Sequence, residues 1–166
     1  MAVLTLEMFI PAKTTFLQHA QENYFNFYTY LNLLYETGLR PNEAYEYERY
    51  SFYGDNVSFQ PAKGNNTRVF PKILLSEGAI DDIENNRKPF QDARYSSIVR
   101  YFNEYFTFSN IMIDNKHIAL YVFRHMKFKQ LDAEGMSTED IGEYFGEQDN
   151  KNVKGYVQSI INIVEG

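Results

Sequence analysis

The spacing of the apolar residues switches from helical to alternating and back again, and this limits what the chain can fold into. Phe16, Leu17, Ala20, Tyr24, Phe27, Leu31 and Leu34 recur at helical intervals. The spacing predicts a long helix over 14–37, stopped by Gly38, a residue suited to a helix C-terminus. Pro41 stands where a new helix can start, and 42–49 is expected to form it. The period then shortens to two. Val57, Phe59 and Pro61 alternate with Ser58 and Gln60, the pattern of a strand. Lys63-Gly64-Asn65-Asn66 is turn chemistry, and Arg68-Val69-Phe70-Pro71-Lys72-Ile73 reads as the returning strand. Pro71 suggests that this strand lies at an edge. The result is a hairpin with Lys63 at its tip.

Helical spacing then returns. Ser76 can cap a helix over 77–85, a polar loop with Pro89 covers 86–94, and a helix follows near 95–106. A connection through Asn110 to Asn115 leads to a helix over 118–133, ended by Gly135. Ser137-Thr138-Glu139-Asp140 resembles a capping box that opens a short helix to Phe145, which Gly146 ends. The last helix is expected over 152–164, apolar at Val153, Val157, Ile160, Ile161 and Val164. The fold class is mainly α with a small antiparallel β-sheet (α+β). A chain of 166 residues fits a single domain over 1–166.

Composition narrows the setting. The chain has no cysteine, which excludes disulfides and thiolate metal sites and favours a reducing, intracellular, cytoplasmic location. It has no apolar run long enough for a membrane span and no signal-peptide pattern, so no membrane partner is expected. A net charge of −6 weighs against nucleic acid as a partner. The charges are uneven, however. Residues 116–129 carry Lys116, His117, Arg124, His125, Lys127 and Lys129 and no acid. Residues 132–149 carry Asp132, Glu134, Glu139, Asp140, Glu143, Glu147 and Asp149, which read as a solvated face. An acidic chain can therefore still present one basic face.

Four places carry groups suited to phosphate chemistry, and each also has a plain structural reading. Arg40, in Thr37-Gly38-Leu39-Arg40-Pro41-Asn42-Glu43, suits a surface arginine near a helix C-terminus. Lys63 suits an exposed turn lysine. Tyr121 and Arg124, in Tyr121-Val122-Phe123-Arg124-His125, are spaced to share a helix face, with Val122 and Phe123 turned to the core. An arginine there also suits snorkelling from an amphipathic helix. Tyr156 follows Gly146-Glu147 and is one of 14 tyrosines, so by itself it reads as a helix-surface residue.

Taken in order, these motifs resemble the catalytic domain of the tyrosine recombinases, the phage-integrase family. An arginine follows Thr-Gly-Leu at Arg40. A hairpin lysine precedes an Arg-Val-Pro-like strand, here Lys63-Gly64-Asn65 and Arg68-Val69-Phe70-Pro71. Tyr121-x-x-Arg124-His125 matches a His-x-x-Arg-His motif, and Gly146-Glu147 stands where Gly-His is usual, ahead of Tyr156. The resemblance covers nearly the whole chain. It departs from the family at Tyr121, in place of histidine, and at Glu147, in place of histidine or tryptophan.

The resemblance implies the DNA breaking-rejoining fold and site-specific cleavage and rejoining of double-stranded DNA, as in DNA integration by a virus or mobile element. Tyr156 would attack the scissile phosphate to give a 3′-phosphotyrosine and a free 5′-hydroxyl. Arg40 and Arg124 would hold the phosphate, because guanidinium is planar, charged and bidentate toward it. Lys63 would give the leaving oxygen its proton. Tyr121 can donate a hydrogen bond to a phosphate oxygen, and Glu147 can orient Arg124 or Lys63. His125 is a possible helper, and His117 can stand in for the missing motif histidine. No cofactor and no metal ion is implied. A homo-oligomer on DNA is expected, and the DNA-binding domain that usually precedes this one in the family is not in the sequence. Two alternatives stay open: a catalytically impaired relative acting as a DNA-binding or protein-interaction module, and a relaxase- or topoisomerase-like nicking enzyme.

Overall fold

The computed structural model describes residues 4–45, 47–60, 67–113 and 116–144. The protein is mainly helical with a small antiparallel sheet, as the apolar periods require.

The N-terminal helical region is two helices. Helix α1 (Leu6–Asn23) begins earlier than expected, capped by Thr5, whose Oγ1 accepts from the Met8 amide at 3.2 Å. It runs through Pro11, whose missing N–H leaves one helix bond unmade. It stops at Tyr24, which leaves helical geometry at φ −143° and ψ 69°. The Asn23 side chain donates to the His19 carbonyl at 2.9 Å and takes an acceptor at the helix end. Helix α2 (Phe25–Thr37) then resumes with its buried face moved to Tyr30, Leu31, Leu33, Leu34 and Thr37. Apolar spacing hides this break because Tyr24 and Phe27 keep the period across it. Gly38 ends α2 in the left-handed conformation, φ 68°, with its N–H on the Leu34 carbonyl.

The helix expected over 42–49 is instead two tight turns of 3-10 geometry, Glu43–Tyr45 and Tyr47–Arg49. The sheet that follows has three strands: β1 (Tyr50–Tyr53), β2 (Asn56–Phe59) and β3 (Arg68–Pro71), in that order across it. Strand β1 was not expected. Its pair with β2 closes over Gly54-Asp55, and Gly54 takes φ 57°, the chemistry of a two-residue hairpin turn. The expected hairpin is the β2–β3 pair, with Val57 facing Phe70 and Phe59 facing Arg68, and β3 lies at the sheet edge as Pro71 suggested. The tip bearing Lys63 lies outside the described residues.

Helix α3 (Glu77–Glu84) starts where Ser76 was expected to cap it, with Ser76 Oγ accepting from the Ala79 amide at 3.2 Å. Helix α4 (Tyr95–Tyr105) follows. The connection after it holds a two-stranded ribbon, β4 (Met112–Ile113) and β5 (Lys116–His117). The helix expected over 118–133 begins as a 3-10 turn, Ala119–Tyr121, and only then becomes α5 (Val122–Ala133). Helix α6 (Thr138–Tyr144) opens with Ser137 Oγ on the Asp140 amide at 3.1 Å. The expected last helix lies outside the described residues. Among those described, no helix is long and apolar enough to cross a membrane.

Helix α5 is the axis of the molecule. Every residue from Val122 to Lys129 is buried, so it has no solvated face in that stretch. The reading of Arg124 as an arginine reaching to solvent is therefore corrected: its neighbours enclose it. Around α5 the core is built from rings. Phe123 meets Phe9 edge-on at 6.1 Å and Phe102 at 6.0 Å, and Phe106 lies between Phe16, Phe102 and Phe123. Such pairs add to the burial term.

Phe123→Ala should therefore cost about 3–5 kcal/mol in urea unfolding, the cavity cost of a large buried ring. Tyr53→Ala, at a side chain left 70% exposed, should change stability by less than about 0.5 kcal/mol.

Candidate phosphate-binding site

The turn from Thr37 to Glu43 is built by its own side chains. Thr37 Oγ1 donates to the Leu33 carbonyl at 2.8 Å and accepts from the Leu39 amide at 3.2 Å. Arg40 then opens a tight turn whose partner sits three residues on. Its backbone N–H donates to Glu43 Oε1 at 2.9 Å, and the Glu43 amide donates to the Arg40 carbonyl at 2.9 Å. The pair of bonds resembles the reciprocal half of a capping box, closed over the turn residues Pro41 and Asn42. From beneath, the Tyr30 hydroxyl donates to the Pro41 carbonyl at 2.5 Å.

Three arginines from distant parts of the chain meet this turn. Arg40 belongs to it, and its guanidinium lies 3.8 Å from Glu43 Oε2 with 31% of the side chain exposed. Arg124 comes from α5. Its Nη1 donates to the Gly38 carbonyl at 3.0 Å, and its guanidinium lies 5.3 Å from the centre of the Phe128 ring. A cation at the C-terminal carbonyls of α2 also suits the helix dipole. Arg124 is only 1% exposed. Arg68 comes from the inward face of β3, is wholly buried, and pairs with Glu43 Oε1 at 3.5 Å.

The remaining expected residues divide. Tyr121 lies in the 3-10 turn before α5, is exposed, and stands close enough to Tyr30 and Tyr95 to act on their ionisation. His125 is buried beside Arg124. Desolvation first, and then the Arg124 charge, push its pKa down to about 4, so it is neutral at physiological pH. As a helper it can only act as a neutral ring. Lys63, Glu147 and Tyr156 lie outside the described residues, as does the side chain of His117. The structure thus brings Arg40 and Arg124 to one turn.

The described tyrosines around the turn are poor nucleophiles. Burial, with the neighbouring phenols, holds Tyr30 far above its usual pKa. Tyr45, stacked on Tyr30 with ring centres 4.6 Å apart, is pushed up to about 12, chiefly by burial and then by Tyr95. These phenols stay protonated; Tyr30 serves as a donor, and both rings serve as packing. A hollow of about 580 Å³ elsewhere, lined by Tyr24, Phe25, Asp92 and Arg94 among others, does not include Arg40 or Arg124.

Sequence reasoning passed over Glu43 and Arg68 as site residues. Both left signals. Glu43 stands at capping-box distance from Arg40, and Arg68 shares the parity of Phe70, which marks an inward position in a strand. No family model matches the chain, and no curated protein matches it.

The neutral state of His125 has a measurable consequence. The unfolded chain takes up a proton near the ordinary histidine pKa of about 6.5, and the folded chain refuses it until about 4. Stability from this group is present above the unfolded value and is lost as the pH falls toward the folded one. Between about pH 8 and about pH 5 the wild type should lose about 2 kcal/mol more stability than His125→Gln. Urea unfolding of both proteins at both pH values checks this, since the other titrating groups are common to the pair.

Proposed function

We propose that this chain is the catalytic domain of a tyrosine recombinase, cutting and rejoining double-stranded DNA through a 3′-phosphotyrosine. The supporting observation is the turn at 37–43, where Arg124 of α5 donates to the Gly38 carbonyl two residues ahead of Arg40. Residues far apart in the chain thereby bring one guanidinium against the turn that carries another, and bidentate cations are what a phosphate and its more highly charged transition state require. Contact with phosphate begins at Arg40, the more exposed of the two. Tyr121, on the surface nearby, can add a hydroxyl donor. In this reading Tyr156 is the nucleophile, Lys63 protonates the leaving 5′-oxygen, and Glu147 orients the cations. The protein works as a homo-oligomer on DNA inside the cell, without a cofactor.

A second reading has one specific observation in its favour. The guanidinium of Arg124 is enclosed and engaged with a backbone carbonyl, which is also how a purely structural arginine behaves. A relative that binds DNA without cutting it would keep such an arginine.

The two readings separate on nicked suicide duplexes of randomised sequence. Wild-type protein should be trapped as an SDS-resistant DNA adduct. Tyr156→Phe should form none, and Arg40→Ala should form adduct at least about 10²-fold more slowly. Salt-sensitive DNA binding that survives Tyr156→Phe, with no adduct from the wild type, would put the non-catalytic reading in its place.

A further inference from the structure

Arg68 occupies an inward position of β3 where the alternation of the sheet calls for an apolar residue. Its neighbours on that face are Val57, Phe59 and Phe70, all buried. A buried guanidinium is costly to desolvate, and an apolar side chain of similar volume is often at least as stable. Its presence is therefore better explained by what it touches. It touches Glu43, whose Oε1 also receives the Arg40 amide at 2.9 Å and whose Oε2 lies 3.8 Å from the Arg40 guanidinium. One carboxylate thus faces a buried arginine on one side and the accessible Arg40 on the other.

Arg68 also has a second placement. Its pair with Phe59 is the last rung of the β2–β3 ladder, and the segment between those two residues contains Lys63. The Arg68–Glu43 contact joins the root of that segment to the turn that bears Arg40.

We infer that Arg68 is a positioning residue: through Glu43 it fixes the guanidinium of Arg40 for phosphate and ties the root of the Lys63 segment to the same turn. This rests on the phosphate-site reading above. Being wholly buried, Arg68 is placed to act on phosphate binding through its contact with Glu43 rather than by touching the ligand itself. Methionine at 68 would keep the linear stem and lose the fork, and lysine would keep a charge without its planar pair of donors.

The full chain, labelled with ¹⁵N-arginine, gives the readout, with inorganic phosphate as the probe. The Arg40 Nε–H signal is assigned from its loss in Arg40→Lys. In wild type, phosphate should shift that signal. In Arg68→Met the signal should move or broaden before any phosphate is added, and the Kd for phosphate should rise about tenfold. Arg68→Lys should fall between the two, and it replaces Arg68→Met as the decisive variant if the latter does not fold. A merely structural Arg68 would lower the Tm and leave the Arg40 signal and the phosphate Kd as in wild type; that result overturns the inference. If phosphate leaves the wild-type Arg40 signal unmoved, the phosphate-site reading itself fails, and the inference falls with it.

Discussion

A guanidinium in the interior, bonded to the carbonyl of Gly38, joins the central helix to the turn at the end of α2. The rest of the structure is arranged around that bond. Enclosing Arg124 costs several kcal/mol of desolvation, which only well-placed acceptors and rings can offset. The carbonyl end of α2 supplies one acceptor and Phe128 supplies a π face. Because α5 is buried along most of its length, its rotation is fixed by packing, and so is the direction of Arg124. The turn is fixed independently by Thr37, Glu43 and Tyr30. The Arg124–Gly38 hydrogen bond joins these two parts beside Arg40, whose side chain stays partly exposed.

Much of this was legible in the residues, and the unread parts have physical causes. The β2–β3 pair, the caps at Ser76 and Ser137 and the stop at Gly38 follow from local chemistry, and each stands where the pattern put it. The break at Tyr24 was not legible, because the aromatic residues on either side keep helical spacing while the buried face shifts. Strand β1, Tyr-Ser-Phe-Tyr, has strand-favouring residues but is only four residues long and lacks a clean apolar alternation to mark it. The 3-10 turn at Glu43–Tyr45 has Glu43 turning back to the Arg40 amide, a side-chain bond of the kind that competes with a regular helix. At the site, proximity of Arg40 and Arg124 was expected from a family likeness, whereas the enclosure of Arg124 and the neutral state of His125 come from tertiary burial, which no local motif encodes.

The acidic balance of the chain and the basic character of this region fit together in one reading. A net charge of −6 spread over a surface repels a polyanion at long range. Recognition then has to rely on short-range, directed donors, and arginine on a braced turn is suited to that. Bracing matters more for such a site than for a broad basic patch, because directed hydrogen bonds weaken steeply with misalignment.

The same bracing limits how the chain can change in length. Surface connections normally absorb inserted residues at little cost, since loop closure grows only slowly with length. The stretch at 86–94 is not of that kind, because it holds a 3-10 turn, Pro89–Asp92, whose Phe90 is fully buried against Tyr30 and Tyr45. Nor is the turn at 37–43: one added residue would shift the Gly38 carbonyl, the Arg40 amide and the Pro41 carbonyl away from Arg124, Glu43 and Tyr30 together. Sequence drift in length is therefore confined to other connections, and this short turn acts as a fixed ruler between the first half of the chain and the second.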